Sequence, residues 1–151
     1  MFYRLCFCVL LLVASAQSVM AQTMQVYKSP TCGCCQKWID HLNQSGFEVS
    51  ATDTLEMNDI KTQYQIGSAY RSCHTGVVVT EQGGYVFEGH IPASVIQSFL
   101  NNPPEGALGL SVPGMPIGSP GMEVGDRRDY YEVLLLKTDG SSEVFAKMNE
   151  D

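Results

Sequence analysis

Three thiols fall within Cys32-Gly33-Cys34-Cys35. The thiolate is the form of cysteine that attacks a disulfide or binds a metal, so this cluster can run redox chemistry, hold a soft cation, or both. Cys32 and Cys35 keep the C-x-x-C spacing of a dithiol couple, in which Cys32 would attack and Cys35 resolve. Cys34 puts a third thiol beside them, and three thiolates at close quarters repel one another. A metal cation relieves that repulsion better than one disulfide, which leaves a thiol over. A fourth sulfur is available from Cys73 in Arg71-Ser72-Cys73-His74-Thr75, with the His74 imidazole next to it. His90, in Glu88-Gly89-His90-Ile91-Pro92, is a further candidate ligand. Met115 and Met122 sit in near-matching contexts, Pro113-Gly114-Met115-Pro116 and Ser119-Pro120-Gly121-Met122-Glu123. Thiolate and thioether donors together select Cu(I) over harder ions.

Two plainer readings of the cysteines compete. Four cysteines in an exported chain can close two structural disulfides, in any of three connectivities; the adjacency of Cys34 and Cys35 argues against it, because a vicinal bridge is strained. A four-thiolate zinc site is the other, although such sites normally use two separated C-x-x-C pairs. His41 falls beside Asp40 and reads as a solvated surface residue, while Trp38 reads as core. Arg71 is either a counter-charge for the thiolates or a solvated loop residue. Met24, Met57 and Met148 stand in no motif and are expected to pack.

Met24 to Lys28 reads as a short strand that Ser29-Pro30-Thr31 breaks. From Cys34 to Asn43, Cys35, Trp38, Ile39 and Leu42 follow helical spacing up to a stop at Gly46, which puts the cysteines at a helix N-terminus, where the dipole favours a thiolate. Phe47 to Ala51 alternates as a strand. A second helix, capped by Asp53 or Thr54, runs through Met57, Ile60 and Tyr64 and ends at Gly67. Val77-Val78-Val79, a β-branched run expected to be a buried strand, and Tyr85 to Glu88 form an antiparallel pair around Gly83-Gly84. Pro92 opens a third helix with Val95, Ile96, Phe99 and Leu100 on its apolar face. The order β-α-β-α-β-β-α, with a cysteine motif between the first strand and first helix, matches an α/β thioredoxin-like arrangement. In that arrangement the loop before the third strand faces the cysteine turn, which would bring Cys73 and His74 to it. Five of the seven prolines lie between Pro103 and Gly125, so this stretch is expected to be loop, an arm laid back across the domain. Tyr130 to Lys137 and Ser142 to Ala146 are expected to form a terminal hairpin around Asp139-Gly140.

The chain has 151 residues, a formal charge of −7 and six cysteines. The acidity, without any run of Lys or Arg, argues against a nucleic-acid partner. Arg4 followed by the apolar stretch Leu5 to Ala14 reads as a secretory signal, too short for a permanent span, with cleavage expected after Ala21. Cys6 and Cys8 would leave with it. The expected organisation is a signal peptide over 1–21, a metal-binding thioredoxin-like unit over 22–102 and an extension over 103–151 packed on the same domain. No stable membrane anchor is expected, and the protein is expected to be a monomer.

The motifs Tyr27-Lys28-Ser29-Pro30-Thr31-Cys32-Gly33-Cys34-Cys35, Ser72-Cys73-His74-Thr75, Glu88-Gly89-His90-Ile91-Pro92-Ala93 and Val112-Pro113-Gly114-Met115-Pro116-Ile117-Gly118-Ser119-Pro120-Gly121-Met122-Glu123 follow in that order. With them the chain resembles the exported C-x-C-C copper-resistance proteins of the CopG type, which are unrelated to the DNA-binding repressor of that name. The resemblance implies a thioredoxin-like domain with a C-terminal extension that contributes to metal binding. It also implies a Gram-negative periplasmic setting and an oxidoreductase role in handling Cu(I) and Cu(II). Residue by residue, the implied ligands are Cys32, Cys34, Cys35 and Cys73, followed by His74, His90, Met115 and Met122. The expected ligand is copper, as several ions bridged by the thiolates, and a periplasmic efflux system is the implied partner. A thiol-disulfide oxidoreductase and a non-enzymatic Cu(I) chaperone or buffer remain alternatives. The hairpin loop Thr80-Glu81-Gln82-Gly83-Gly84 is longer than the family's usual one.

Overall fold

A computed structural model of the chain describes residues 22–81 and 83–150; the expected signal segment, with Cys6 and Cys8, lies outside them. The described residues form a mixed α/β fold with one seven-stranded sheet. Its elements are β1 (Thr23–Lys28), α1 (Gly33–Gln44), β2 (Glu48–Asp53), α2 (Met57–Gln63), β3 (His74–Thr80), β4 (Gly83–Glu88), α3 (Ala93–Asn101), β5 (Ala107–Ser111), β6 (Tyr131–Lys137) and β7 (Ser142–Met148), with a 3-10 turn at Ser68–Tyr70 between α2 and β3. Across the sheet the strands run β2-β1-β3-β4-β5-β6-β7. The β1/β2 and β4/β5 pairs are parallel, and the β1/β3, β3/β4, β5/β6 and β6/β7 pairs are antiparallel.

The apolar stripe of α1 faces inward: Cys35, Trp38, Ile39 and Leu42 are all buried. Burial of each large side chain contributes about 1.5–3 kcal/mol, so tertiary packing holds this 12-residue helix in place more than intrinsic propensity does. Trp38 and Leu42 share one core with Met24 and Val26 of β1, Phe87 of β4, Ile96 and Phe99 of α3, and Val133 and Leu135 of β6. Among the described residues no helix is long and apolar enough to cross a membrane.

The structure departs from expectation in three elements. Asp53 does not cap α2: it ends β2 and pairs with Lys28 at 2.6 Å. The cap position is Glu56, whose N–H donates to Thr54 Oγ1 at 3.0 Å. The helix stops at Gln63, before Gly67, because the chain turns left-handed at Gln65 (φ 58°). Val79, at the end of the β-branched run, is 81% exposed, whereas Val77 and Val78 are buried. The Pro/Gly-rich stretch is not all loop either, since Ala107–Ser111 inserts as β5 between β4 and β6.

Candidate metal centre

Cys32 occupies the N-cap of α1, and its sulfur accepts from Cys35 N–H at 3.3 Å. The turn before it is closed by Cys32 N–H donating to the Ser29 carbonyl, so Ser29-Pro30-Thr31 delivers the cysteines to the positive end of the helix. Cys73 arrives on the loop that leads into β3. The sulfurs of Cys32, Cys34, Cys35 and Cys73 lie within 4.8 Å of one another, and Cys32 and Cys34 are 3.5 Å apart.

Cys32 and Cys35 are joined as a disulfide, while Cys34 and Cys73 are free thiols. The bridge is the oxidised form of the C-x-x-C couple; reduced, the same two sulfurs belong to the set of four that could hold a cation. One bridge relieves the crowding at the helix end and does leave a thiol over, Cys34. Among the described residues a second disulfide is not formed.

A second set overlaps the first: donor atoms of Cys73, His74 and His90 also lie within 4.8 Å of one another. The Cys73 sulfur is 3.1 Å from His90 Nε2 and 3.3 Å from His74 Nδ1. His90 Nδ1 donates to the Pro120 carbonyl at 2.8 Å, which fixes the tautomer and turns an unprotonated Nε2 towards Cys73. Both rings are fully buried. Burial is the main force holding both imidazoles below their usual range. His90 and Lys61 push His74 further down, against a small upward pull from the Gly89 backbone, while the Pro120 carbonyl and Glu123 pull His90 back up. Neutral imidazoles are the form that ligates metals. Buried His74 Nε2 has no hydrogen-bond partner, while its ring lies 4.2 Å from the Trp38 ring.

The arm beyond β5 does cross the site. Ser72 Oγ donates to the Gly114 carbonyl at 2.5 Å, and Met115, 53% exposed, lines a surface pocket of about 290 Å³ with Arg71, Ser72, Cys73 and Gly114. Met122 is half-buried in the turn over 118–122, whose Gly121 packs against the cysteine helix. A Cβ on Gly121 would sit 2.7 Å from the Cys34 carbonyl and 3.0 Å from Trp38 N, on a backbone with φ +88°. Gly121→Ala is therefore expected to cost about 1–3 kcal/mol, a typical figure for left-handed strain with overpacking, and to lift the turn off the cysteine helix. Denaturant unfolding would read the first effect and faster alkylation of Cys34 the second.

Burial pushes the Cys73 thiol up to about 11, with the neighbouring Cys34 adding to the shift. The fold thus favours the protonated thiol. That preference is fully present below the ordinary thiol value of 9.0 and is lost as pH rises through about 11. Thiolate absorbance of the metal-free disulfide form should show Cys73 ionising in this alkaline window. Cys34→Ser should lower the midpoint without restoring the ordinary value, since burial is the larger cause.

Other expectations resolve more simply. Trp38 is core, and its indole N–H donates to the Ile91 carbonyl at 2.8 Å. Arg71 is engaged by Ile66 and Thr62, to which it donates at 3.0 and 3.1 Å, so its guanidinium is tied to the α2 side of the site. His41 is not merely solvated: its Nε2 accepts from Ala93 N–H at 3.0 Å and so caps α3. The sequence reading missed a buried network of Lys61, Thr75 and Glu88. The only local signal was a glutamate ending an otherwise apolar strand.

A family model described as a protein of unknown function, DUF411, matches residues 70–122. No curated protein matches the chain. A solved structure titled copper resistance protein CopG, form 2, superposes with a TM-score of 0.78 at 38% identity, covering 85% of this chain and 98% of its own. Form 1 superposes with a TM-score of 0.79 at 37% identity, covering 87% and 100%. With that identity over nearly the full length of those structures, and with the cysteines gathered at one helix end, the chain belongs to the CopG family of copper-resistance proteins.

Proposed function

We propose that the protein is a periplasmic copper-handling redox protein, in which Cys32, Cys34, Cys35 and Cys73 hold copper and the Cys32/Cys35 couple exchanges electrons with it. The observation that carries the reading is the approach of four sulfurs to within 4.8 Å of one another. Four soft donors at a helix N-terminus, backed by two neutral imidazoles, fit copper better than a hard cation. Copper among these sulfurs supplies a one-electron couple between Cu(I) and Cu(II). His74 and His90 complete the donor set beside Cys73, and Met115 and Met122 serve as thioether donors on the arm. Thiolates that bridge several ions share their charge, which suits a half-buried site.

Closing the Cys32–Cys35 bond from two thiolates releases two electrons, which reduce two Cu(II) to two Cu(I). Reopening it takes up two electrons and two protons from an external reductant such as a dithiol. We read β1 through α3 as a thioredoxin-like unit, because the cysteine motif lies between β1 and α1 and Cys73 precedes β3. Export by a cleaved signal over 1–21 and a copper efflux system as partner belong to the same proposal.

Anaerobic loading of the reduced protein with Cu(I), followed by metal analysis, should find more than one copper per chain and a sulfur-to-copper charge-transfer band; a mere trace of copper would sink the reading. Stopped-flow mixing of the reduced protein with Cu(II) should yield Cu(I) and the disulfide together. Binding without reduction would make the protein a buffer instead. The Cys32–Cys35 disulfide also favours a second reading, a thiol-disulfide oxidoreductase, which predicts brisk insulin reduction where a copper protein should be nearly inactive.

A further inference from the structure

Directly behind Cys73 a charged pair is sealed from solvent. Glu88 is 0% and Lys61 3% exposed, and Lys61 Nζ donates to Glu88 Oε1 at 2.5 Å. Removing two charges from water is costly unless further hydrogen bonds support them, and here three more do. Thr75 Oγ1 donates to Glu88 Oε2 at 2.7 Å and accepts from Lys61 Nζ at 3.0 Å, while the Ser72 backbone N–H donates to Glu88 Oε1. One carboxylate thus grips the chain at residue 72 and again at residue 75, on either side of Cys73 and His74. The Glu88 backbone extends the clamp: its carbonyl accepts from Val112 N–H at 2.9 Å, and the next residue, Gly89, donates to the His74 carbonyl at 3.2 Å. His90 follows one residue later. A single position therefore ties the Cys73 loop, the His90 turn and the root of the methionine-bearing arm.

We propose that Glu88, braced by Lys61, is a positioning residue for Cys73. It fixes the 72–75 segment so that the Cys73 sulfur stays in reach of both His90 and the cysteine turn. The proposal rests on the copper reading for its functional consequence, but the placement of Cys73 can be tested without metal. Outer groups that orient ligands are typically worth about 10- to 100-fold in metal affinity, and an unclamped loop opens more often and exposes its thiol.

The experiment compares two double variants of the full chain, chosen so that neither leaves a lone buried charge. Glu88→Leu with Lys61→Met removes the clamp. Glu88→Gln with Lys61→Met keeps an amide oxygen for the Ser72 N–H and an amide N–H for Thr75. Metal-free protein with the disulfide intact is alkylated with iodoacetamide and Cys73 modification is followed by peptide mass spectrometry; Cu(I) affinity of reduced protein is measured by competition with a chromophoric chelator. The Leu/Met protein, folded by circular dichroism, should alkylate at Cys73 about tenfold faster and lose about 10- to 100-fold in Cu(I) affinity. The Gln/Met protein should stay close to wild type in both. A folded Leu/Met protein with wild-type reactivity and affinity overturns the proposal, as does a Gln/Met protein equally impaired at equal stability. If the Leu/Met protein does not fold, Thr75→Val decides: faster Cys73 alkylation supports the clamp and an unchanged rate overturns it. If wild-type protein holds no copper, the functional reading fails, while the alkylation series still judges the clamp.

Discussion

Replacing Cys73 with serine should abolish tight copper binding while leaving the Cys32–Cys35 couple able to open and close. Cys73 contributes one of four clustered sulfurs and is also the sulfur in contact with His74 and His90, so its loss removes the link between the two donor sets. Even changes to groups that only orient a ligand typically cost about 10- to 100-fold in affinity, so loss of one of the four sulfur donors themselves should exceed about 100-fold. Serine is a poor substitute because its hydroxyl is a hard, neutral donor at neutral pH. Cys34→Ser should act in the same direction, since Cys34 is a free thiol 3.5 Å from Cys32 and outside the disulfide. Cys35→Ser, in contrast, should remove both copper binding and dithiol chemistry. Competition with a Cu(I) chelator, read beside the Cys32–Cys35 reduction potential, separates the variants. If Cys34→Ser and Cys73→Ser bind copper like the wild type, the four-sulfur site is wrong and the simple dithiol reading gains.

The parts of this site that were readable in the sequence are those set by local chemistry. The C-x-C-C turn, the apolar stripe of α1 and the helix stop near Gly46 follow from spacing within one element, and all three stand in the structure. The approach of Cys73 to that turn needed only the element order. Long-range pairing was not readable. Lys61 belongs to a seven-residue helix, where a lysine would ordinarily face water, and it is buried because Glu88 of β4 lies beneath it. His41 likewise looked like a surface residue until α3 brought Ala93 N–H to its ring. Nor does the sequence determine the oxidation state of the cysteines, because the same thiols can close a bridge or bind a cation.

Gly109→Ala should be the most damaging small change outside the cysteines, and it bears on the strand that composition concealed. β5 was hidden because glycine and proline normally interrupt strands, yet Gly109 is what lets β5 form where it does. It pairs with Val86 of β4 on one side and Leu136 of β6 on the other, at a register irregularity between Ala107 and Gly109. Its φ is +153°, and an added Cβ would lie 1.9 Å from the Val86 carbonyl oxygen, with Val86 C and N both at 2.7 Å. All three atoms are backbone of a central strand, so no side chain can swing aside to make room. Overpacking of about 1–3 kcal/mol and backbone strain of similar size should together cost more than about 3 kcal/mol, a large fraction of a small domain's stability. Gly84→Ala in β4, where the nearest atom would be 4.0 Å away, is the control and should stay within about 0.5 kcal/mol. The effect should reach the site, because β5 runs directly into Val112, whose N–H is held by the Glu88 carbonyl, and from there into the arm that carries Met115. Denaturant midpoints should therefore fall for Gly109→Ala together with a rise in Cys73 alkylation under native conditions. A Gly109→Ala protein as stable as the Gly84→Ala control would mean that β5 is not threaded between β4 and β6 as described.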